Sequence, residues 1–324
     1  MKTKIIYVIT SNGEDHYVEQ ALMSIWSCRH YNPQANIIVV ADIESQIHIE
    51  KYNEFKELVG EFIYQEFEEN VSKPIRSRIL KTTLRNIVKG DFLYVDTDTI
   101  FCDSISEIDD FNFDIGLVED LHFEKIDLSP FKEIIKRKLK ETFNQELNSS
   151  KYYNSGVIYA KDNEIVKKIY ELWHINWLVT QSHGEILDQP SLLKVTNEHQ
   201  NLISTLPGEY NVQMLLTVKY LNKGKILHFF NYDSGEKTSL IHPFFGKNYY
   251  ENLKENKIIN EEIKQDIINV KTLFHNNTFI IGPLDIPFWL SQQSRILKKL
   301  IEKKSTKKIV TLFLKILYRI TYVK

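Results

Sequence analysis

Two hydrophobic periods alternate along the first hundred positions. IIYVIT (5–10) is short, apolar and β-branched, which predicts a strand buried on both faces of a parallel sheet. A polar turn, Ser11-Asn12-Gly13, leads into a helix whose Val18, Ala21, Leu22 and Ile25 share one face and which Asn32-Pro33 breaks. NIIVVA (36–41) predicts a second strand, closed by Asp42, followed by a helix near 47–59 and a strand near 61–67. Ser72 and Pro74 take cap and first-turn positions of a further helix, which carries Ile75, Ile79, Leu80, Leu84, Ile87 and Val88 and stops at Gly90. A strand running into Asp96-Thr97-Asp98 comes at once. Beyond it lie IGLVED (115–120), a charged helix near 130–142, YYNSGVIYAK (152–161) and a helix near 163–178, whose Trp173 and Trp177 read as packing. A helix opening at Asp188 and the strand ILHFF (226–230) complete the pattern. Between Gly235 and Pro287 the periodicity is weak.

Alternating strands and helices with short connections define an α/β fold, a mostly parallel sheet flanked by helices. No G-x-G-x-x-G follows the first strand and no G-x-x-x-x-G-K occurs anywhere, which argues against the usual dinucleotide and P-loop sites. The chemistry concentrates at Asp96 and Asp98. Strand alternation predicts that both carboxylates point the same way, at the strand end where open α/β sheets bind ligands. Two carboxylates plus substrate phosphates are a usual shell for Mg²⁺ or Mn²⁺. Cys28 and Cys102, far apart in apolar contexts, suggest small buried hydrophobes in a reducing compartment. The opening MKTKIIYVITSN reads as a strand rather than a signal peptide.

Charge is balanced in total but not in place. Residues 291–324 hold ten Lys or Arg against one acid, Glu302, so this end carries +9 and residues 1–290 carry −11 of a total of −2. Lys304, Lys308, Thr311, Lys315 and Arg319 recur at helical spacing on one stripe, with Ile309, Leu312, Phe313, Ile316 and Ile320 on other faces. The uncharged runs are too short to span a bilayer. The pattern predicts an amphipathic helix lying on an anionic membrane surface. Without a stacking or recognition motif beside it, nucleic acid is not the expected partner.

Several elements stand in a specific order. They are the first strand with Tyr17 after its turn, Arg78 and Lys81 ahead of the next strand, DTD, Tyr153-Asn154-Ser155-Gly156-Val157, Asp188-Gln189, Leu206-Pro207 with Tyr210-Asn211, and Ile226-Leu227-His228-Phe229. Over residues 4–230 this resembles the GT-A nucleotide-sugar glycosyltransferases, and within them family 8, which includes bacterial lipopolysaccharide galactosyl- and glucosyltransferases and the glycogenins. The resemblance implies a Rossmann-like GT-A domain at 1–234 and an acceptor-side or lid region at 235–290, to which the charge pattern adds the basic helical extension at 291–324. It implies Mn²⁺, or Mg²⁺, held by Asp96, Asp98 and His228. It implies a UDP-sugar donor met by Thr10, Tyr17, Arg78, Asp96, Asn154 and Asp188, with Gln189, Asp188 and Arg78 around the reacting carbon. It further implies retention of configuration and a glycan or lipid-linked acceptor; with the basic tail, the expectation is a cytoplasmic enzyme peripheral on the inner face of the membrane. The chain departs from the family after His228: HFFNYDSGEKTSLIHPFFGK stands where a Gly and a later K-P-W are common, with Gly235 and Lys237, or Gly246 and Lys247, as the candidates to replace them.

Each assignment has a plainer rival. Asp188 would also cap the following helix, Asn154 would serve in a turn, Arg78 as a solvated helix charge and Tyr17 as core, while His242 and His275 read as surface or loop residues. FLYVDTDTI also fits the hydrophobic-D-x-D-x-[TV] signature of haloacid dehalogenase phosphatases, in which Asp96 would be the nucleophile. A catalytically silent nucleotide-sugar-binding protein is the non-enzymatic alternative.

Overall fold

A computed structural model describes residues 1–215, 217–230, 242–274, 288 and 291–322. The chain divides into two compact units, Met1–Asn277 and Thr278–Lys324.

The first unit is built on a seven-stranded sheet of β1 (Lys4–Ile9), β2 (Asn36–Asp42), β3 (Glu61–Gln65), β4 (Phe92–Val95), β6 (Ile115–Glu119), β7 (Tyr153–Ala160) and β8 (Ser204–Thr205), in the order β3-β2-β1-β4-β7-β6-β8. All neighbours pair in parallel except β7, which runs antiparallel to both β4 and β6. Strand alternation sorts the core into two layers. Ile5, Tyr7, Ile9, Val39 and Val95 pack on one side, with α1 (Tyr17–Tyr31), α3 (Asn53–Leu58), α9 (Lys247–Asn256) and α10 (Glu261–Ile268). Ile6, Val8, Val40 and Tyr94 pack on the other, with α4 (Lys73–Thr82), α5 (Leu84–Ile87), α7 (Glu164–Ser182) and α8 (Gln189–Glu198). Helices on both faces are why β1 and β2 read as unbroken apolar runs.

A second sheet, β5-β10-β9, joins β5 (Thr99–Phe101), β10 (Ile226–His228) and β9 (Val212–Gln213). β10 runs antiparallel to β5 and parallel to β9. The chain leaves the large sheet at Val95 and enters the small one at Thr99, so Asp96–Asp98 is the turn between them. On the other side of the first sheet the chain lays down β1, β2 and β3 in sequence and then returns to place β4 beside β1, which opens a crevice at their carboxyl ends.

Several boundaries differ from expectation. The helix expected at 47–59 is two, α2 (Ile43–Ile49) and α3, because Asp42 caps α2 by accepting from Ser45 N at 3.1 Å. The helix before Gly90 breaks at Thr83 and ends at Ile87, with Val88 as an extended C-cap; Gly90, at φ +81°, lies two residues further on, in the turn into β4, and does not stop the helix itself. His242 is not a surface residue: it is fully buried, its Nε2 2.9 Å from Val270 O and its Nδ1 accepting from Phe244 N. His275, Gly235 and Lys237 lie outside the described residues. Gly246 precedes α9 as its N-cap residue. Cys28 and Cys102 are buried and unpaired.

The second unit contains α11 (Gln292–Glu302) and α12 (Lys304–Tyr322). On α12, Ile309, Leu312, Phe313 and Ile316 are exposed. No helix among the described residues is long and apolar enough to cross a membrane.

Candidate active site

Strand alternation is not what unites Asp96 and Asp98, because β4 ends one residue earlier. The turn does so, pinned from three sides. Asp96 N donates to Gly156 O (2.8 Å), Thr99 Oγ1 to Asp96 O (2.8 Å) and Phe229 N to Asp98 O (3.0 Å). Thr99 continues through Ser24 to Tyr7 by two hydrogen bonds of 2.9 Å, which anchors the turn to α1 and β1.

His228, at the end of β10, reaches this turn. A carboxylate oxygen of Asp96, one of Asp98 and a ring nitrogen of His228 lie within 4.8 Å of one another. His228 Nε2 is 3.2 Å from Asp98 Oδ1, and its Nδ1 meets Asn211 Oδ1 at 3.0 Å. Asn211 Nδ2 donates to Asn154 Oδ1 (2.9 Å), which also accepts from Gly156 N (2.8 Å). That chain fixes the Asn211 amide, places a hydrogen on His228 Nδ1 and turns Nε2 toward Asp98, where it could serve a metal. Burial alone would disfavour the imidazolium, but the Asp98 and Asp96 carboxylates outweigh it and raise the His228 pKa. Two carboxylates and an oriented imidazole fit a divalent cation, with mixed O/N ligation suiting Mn²⁺ better than Mg²⁺.

Beside this trio lies a charge cluster on α4. Lys81, buried, stands 3.2 Å from Asp96 Oδ1 and 3.3 Å from Asp188 Oδ2, and donates to Ser155 Oγ (3.1 Å). Arg78 Nε is 3.0 Å from Asp188 Oδ1. Arg78 is therefore not a solvated charge. Burial would raise the Asp188 pKa, yet Lys81 and Arg78 hold it at about 2. Asp188 makes no side-chain cap to α8; its carboxylate turns instead to the two cations, a stronger partnership than a backbone N–H. Trp173 Nε1 donates to Asp188 O (3.1 Å) and Trp177 Nε1 to Ile186 O (3.0 Å), so the two packing indoles hold the segment before Gln189.

Gln189 Nε2 donates to Asp120 Oδ1 (3.0 Å) and Tyr153 O (3.2 Å), and Asn154 Nδ2 to the same Asp120 oxygen (3.2 Å). Asn154 is thus a strand residue inside a polar network rather than a turn residue. Burial raises the Asp120 pKa, and the two amides partly counter it. The ladder between β6 and β7 slips between Leu117 and Val118, next to this network, as bulges beside active sites do.

Thr10 lies just beyond β1, nearly buried. Tyr17 opens α1 and is 37% exposed, so it is not a core residue. Lys73 Nζ lies 5.4 Å from its ring centroid. Both occupy the β1 side of the crevice, apart from the Gln189–Asp120 network.

Sequence reading gave no role to Lys81, Asp120 or Asn211. Two signals for them were present. Lys81 follows Arg78 at i+3 on one helical face, and IGLVED ends an apolar strand in an acid, as FLYVD does.

A two-sheet α/β fold with an Asp-Asp-His trio and a buried cation cluster at the carboxyl edge of the large sheet is that of a GT-A glycosyltransferase. The sequence profile described as "Glycosyl transferase family 8" matches residues 8–247, and the chain belongs to that family. No curated protein matches the chain. Among solved structures, the galactosyltransferase LgtC in complex with donor and acceptor sugar analogs is 14% identical. It has a TM-score of 0.51 and covers 81% of this chain and 99% of its own. An active-site mutant of LgtC gives 12% identity and a TM-score of 0.53 over the same shares. Mouse xyloside xylosyltransferase 1, apo form, gives 13% and 0.49, covering 71% of this chain and 98% of its own. The two LgtC likenesses establish the fold, and the family establishes a glycosyltransferase. Neither the phosphatase nor the silent-binder alternative gains support.

Proposed function

We propose that this glycosyltransferase is metal-dependent and retaining, and moves a hexose from a UDP-sugar to a glycan or lipid-linked acceptor of the bacterial cell-surface polysaccharide or lipopolysaccharide type. The observation that carries the reading is the convergence of Asp96, Asp98 and His228 beside Lys81 and Arg78. Asp96, Asp98 and His228 would hold a divalent cation, which when bound would supply Lewis-acid neutralisation of the diphosphate leaving group. Arg78 adds a fixed charge at the phosphate side. Tyr17 and Thr10 receive the uridine on the β1 side of the crevice. Asn154 and Asp188 hold the sugar hydroxyls. Gln189, oriented by Asp120 and Tyr153 O, presents its Oε1 to the positive charge that develops on the ring. The anomeric C–O bond to diphosphate breaks, a bond to the acceptor oxygen forms on the same face, and a departing phosphate oxygen takes the acceptor proton.

The reading also places the enzyme in the cytoplasm, peripheral on the inner face of the membrane. The lysine stripe and exposed apolar face of α12 support that location, because such a helix binds anionic lipid in the interface plane. There it meets a lipid-linked acceptor.

The test is release of UDP from a panel of UDP-sugars with Mn²⁺, with and without EDTA. Metal-dependent release from one sugar, lost in Asp98→Asn, is expected. Hydrolysis of phosphate esters without UDP release would overturn the reading; tight Mn²⁺-dependent UDP binding with no release under any acceptor would favour a binding protein.

A further inference from the structure

Asp120 stands between two residues whose backbones are tied to one buried side chain. Gln213, on β9 and fully buried, accepts from Leu121 N at Oε1 (2.6 Å) and donates from Nε2 to Glu119 O (2.9 Å). Each end of the amide meets a partner of only one sense, so its orientation is unambiguous. A third bond runs from Gln213 N to His122 Nε2 (3.0 Å). The turn held in this way is unusual. Leu121 and His122 are consecutive non-glycine residues with φ of +50° and +59°, a left-handed conformation that L side chains adopt only where the surroundings enforce it. Asp120 N to Tyr152 O (2.8 Å) and Phe123 N to Asp120 O (3.2 Å) are the other backbone bonds of the turn. Neither holds Leu121.

We infer that Gln213 is a positioning residue for the sugar side of the site. Its amide brackets Asp120 and enforces the left-handed turn, and so sets the Asp120 carboxylate against Asn154 and Gln189. Gln213 also pairs with His228 across the small sheet. One residue therefore joins the strand bearing the imidazole of the metal trio to the turn bearing Asp120, and fixes the spacing between the diphosphate half and the sugar half of the site. The kinetic part of this inference rests on the UDP-sugar reading; the structural part does not.

Gln213→Met preserves volume in the core and removes both side-chain bonds. Gln213→Glu preserves the acceptor for Leu121 N and loses the donor to Glu119 O. In the full-length chain, hydrogen exchange of residues 119–123 is expected to quicken by about tenfold or more in Gln213→Met, with residues 226–228 unchanged. Mn²⁺-dependent UDP binding stays within about twofold, while kcat for UDP-sugar turnover falls on the order of 10- to 100-fold, as a misplaced site group requires. Gln213→Glu recovers part of the protection and part of kcat. Unchanged exchange at 119–123 overturns the inference, as does unchanged kcat beside faster exchange. A joint loss of UDP binding and of protection at 226–228 also overturns it, by making Gln213 a packing residue only. If the wild-type chain turns over no UDP-sugar yet the exchange difference is present, the UDP-sugar reading fails and the clamp stands.

Discussion

Gly156→Ala is a single methyl aimed at the metal trio. Gly156 lies in β7 against His228, and a Cβ built there would stand 2.3 Å from His228 Cε1, 2.8 Å from its Nδ1 and 2.9 Å from Asn154 Oδ1. Carbon atoms pack at about 3.5 Å, so the imidazole must retreat by roughly 1 Å. It has little room to do so, being buried and tied to Asn211. Metal–ligand distances hold to about 0.2 Å. The retreat therefore removes His228 as an effective ligand. Disturbing the support of a ligand costs about 10- to 100-fold in metal affinity, and the upper end, about 2.7 kcal/mol, is expected here. Overpacking adds about 1–3 kcal/mol of lost fold stability. Electron spin resonance of unbound Mn²⁺, titrated with protein in the presence of UDP, measures the affinity, and urea unfolding measures the stability. A double-mutant cycle with His228→Ala separates the cause: once the imidazole is gone, the methyl should cost almost nothing more in Mn²⁺ affinity. Wild-type Mn²⁺ affinity in Gly156→Ala, or the same loss in both backgrounds, would refute the reasoning.

Three further outcomes follow from the same geometry. Burial holds the His122 pKa down at about 4, whereas an unfolded histidine titrates near 6.5; the unfolded chain thus binds the extra proton between these values, so stability is full above about pH 6.5 and falls by about 3 kcal/mol toward pH 4, a slope that urea unfolding should find diminished in His122→Gln. Lys81→Met leaves Asp188 and Asp96 without their shared cation, which should raise the Asp188 pKa from about 2, cost roughly 3–5 kcal/mol of stability and abolish UDP release; an unaltered urea midpoint would show that Arg78 alone suffices. Replacing Lys308 and Lys315 by Gln should weaken binding to phosphatidylglycerol vesicles about 30-fold, at about 1 kcal/mol per lysine, with UDP binding unchanged; equal binding of both proteins in vesicle sedimentation would remove the membrane role from α12.

Much of this protein was determined locally. The unbroken apolar runs of β1 and β2 follow from burial on both sheet faces, and the stop at Asn32-Pro33 follows from backbone chemistry, so the α/β class was legible residue by residue. The order of the motifs also carried the family and singled out Asp96, Asp98 and His228, because site residues at strand ends keep their place in the chain whatever the loops do. The tertiary structure decided what depends on crossing from one element to another. Asp96 and Asp98 are united by a turn between two sheets, which no strand period describes. Lys81 and Asp188 are 107 positions apart, and only the packing of α4 against α7, with Asp188 at the start of the neighbouring α8, turns a helix lysine and an apparent cap into a buried ion pair. Asp120 acquires its neighbours from β7, α8 and β9 together. Hydrophobic periods are local and can be read in sequence; the partners of a buried polar group are chosen by the fold, because a group removed from water must find them wherever the chain brings them.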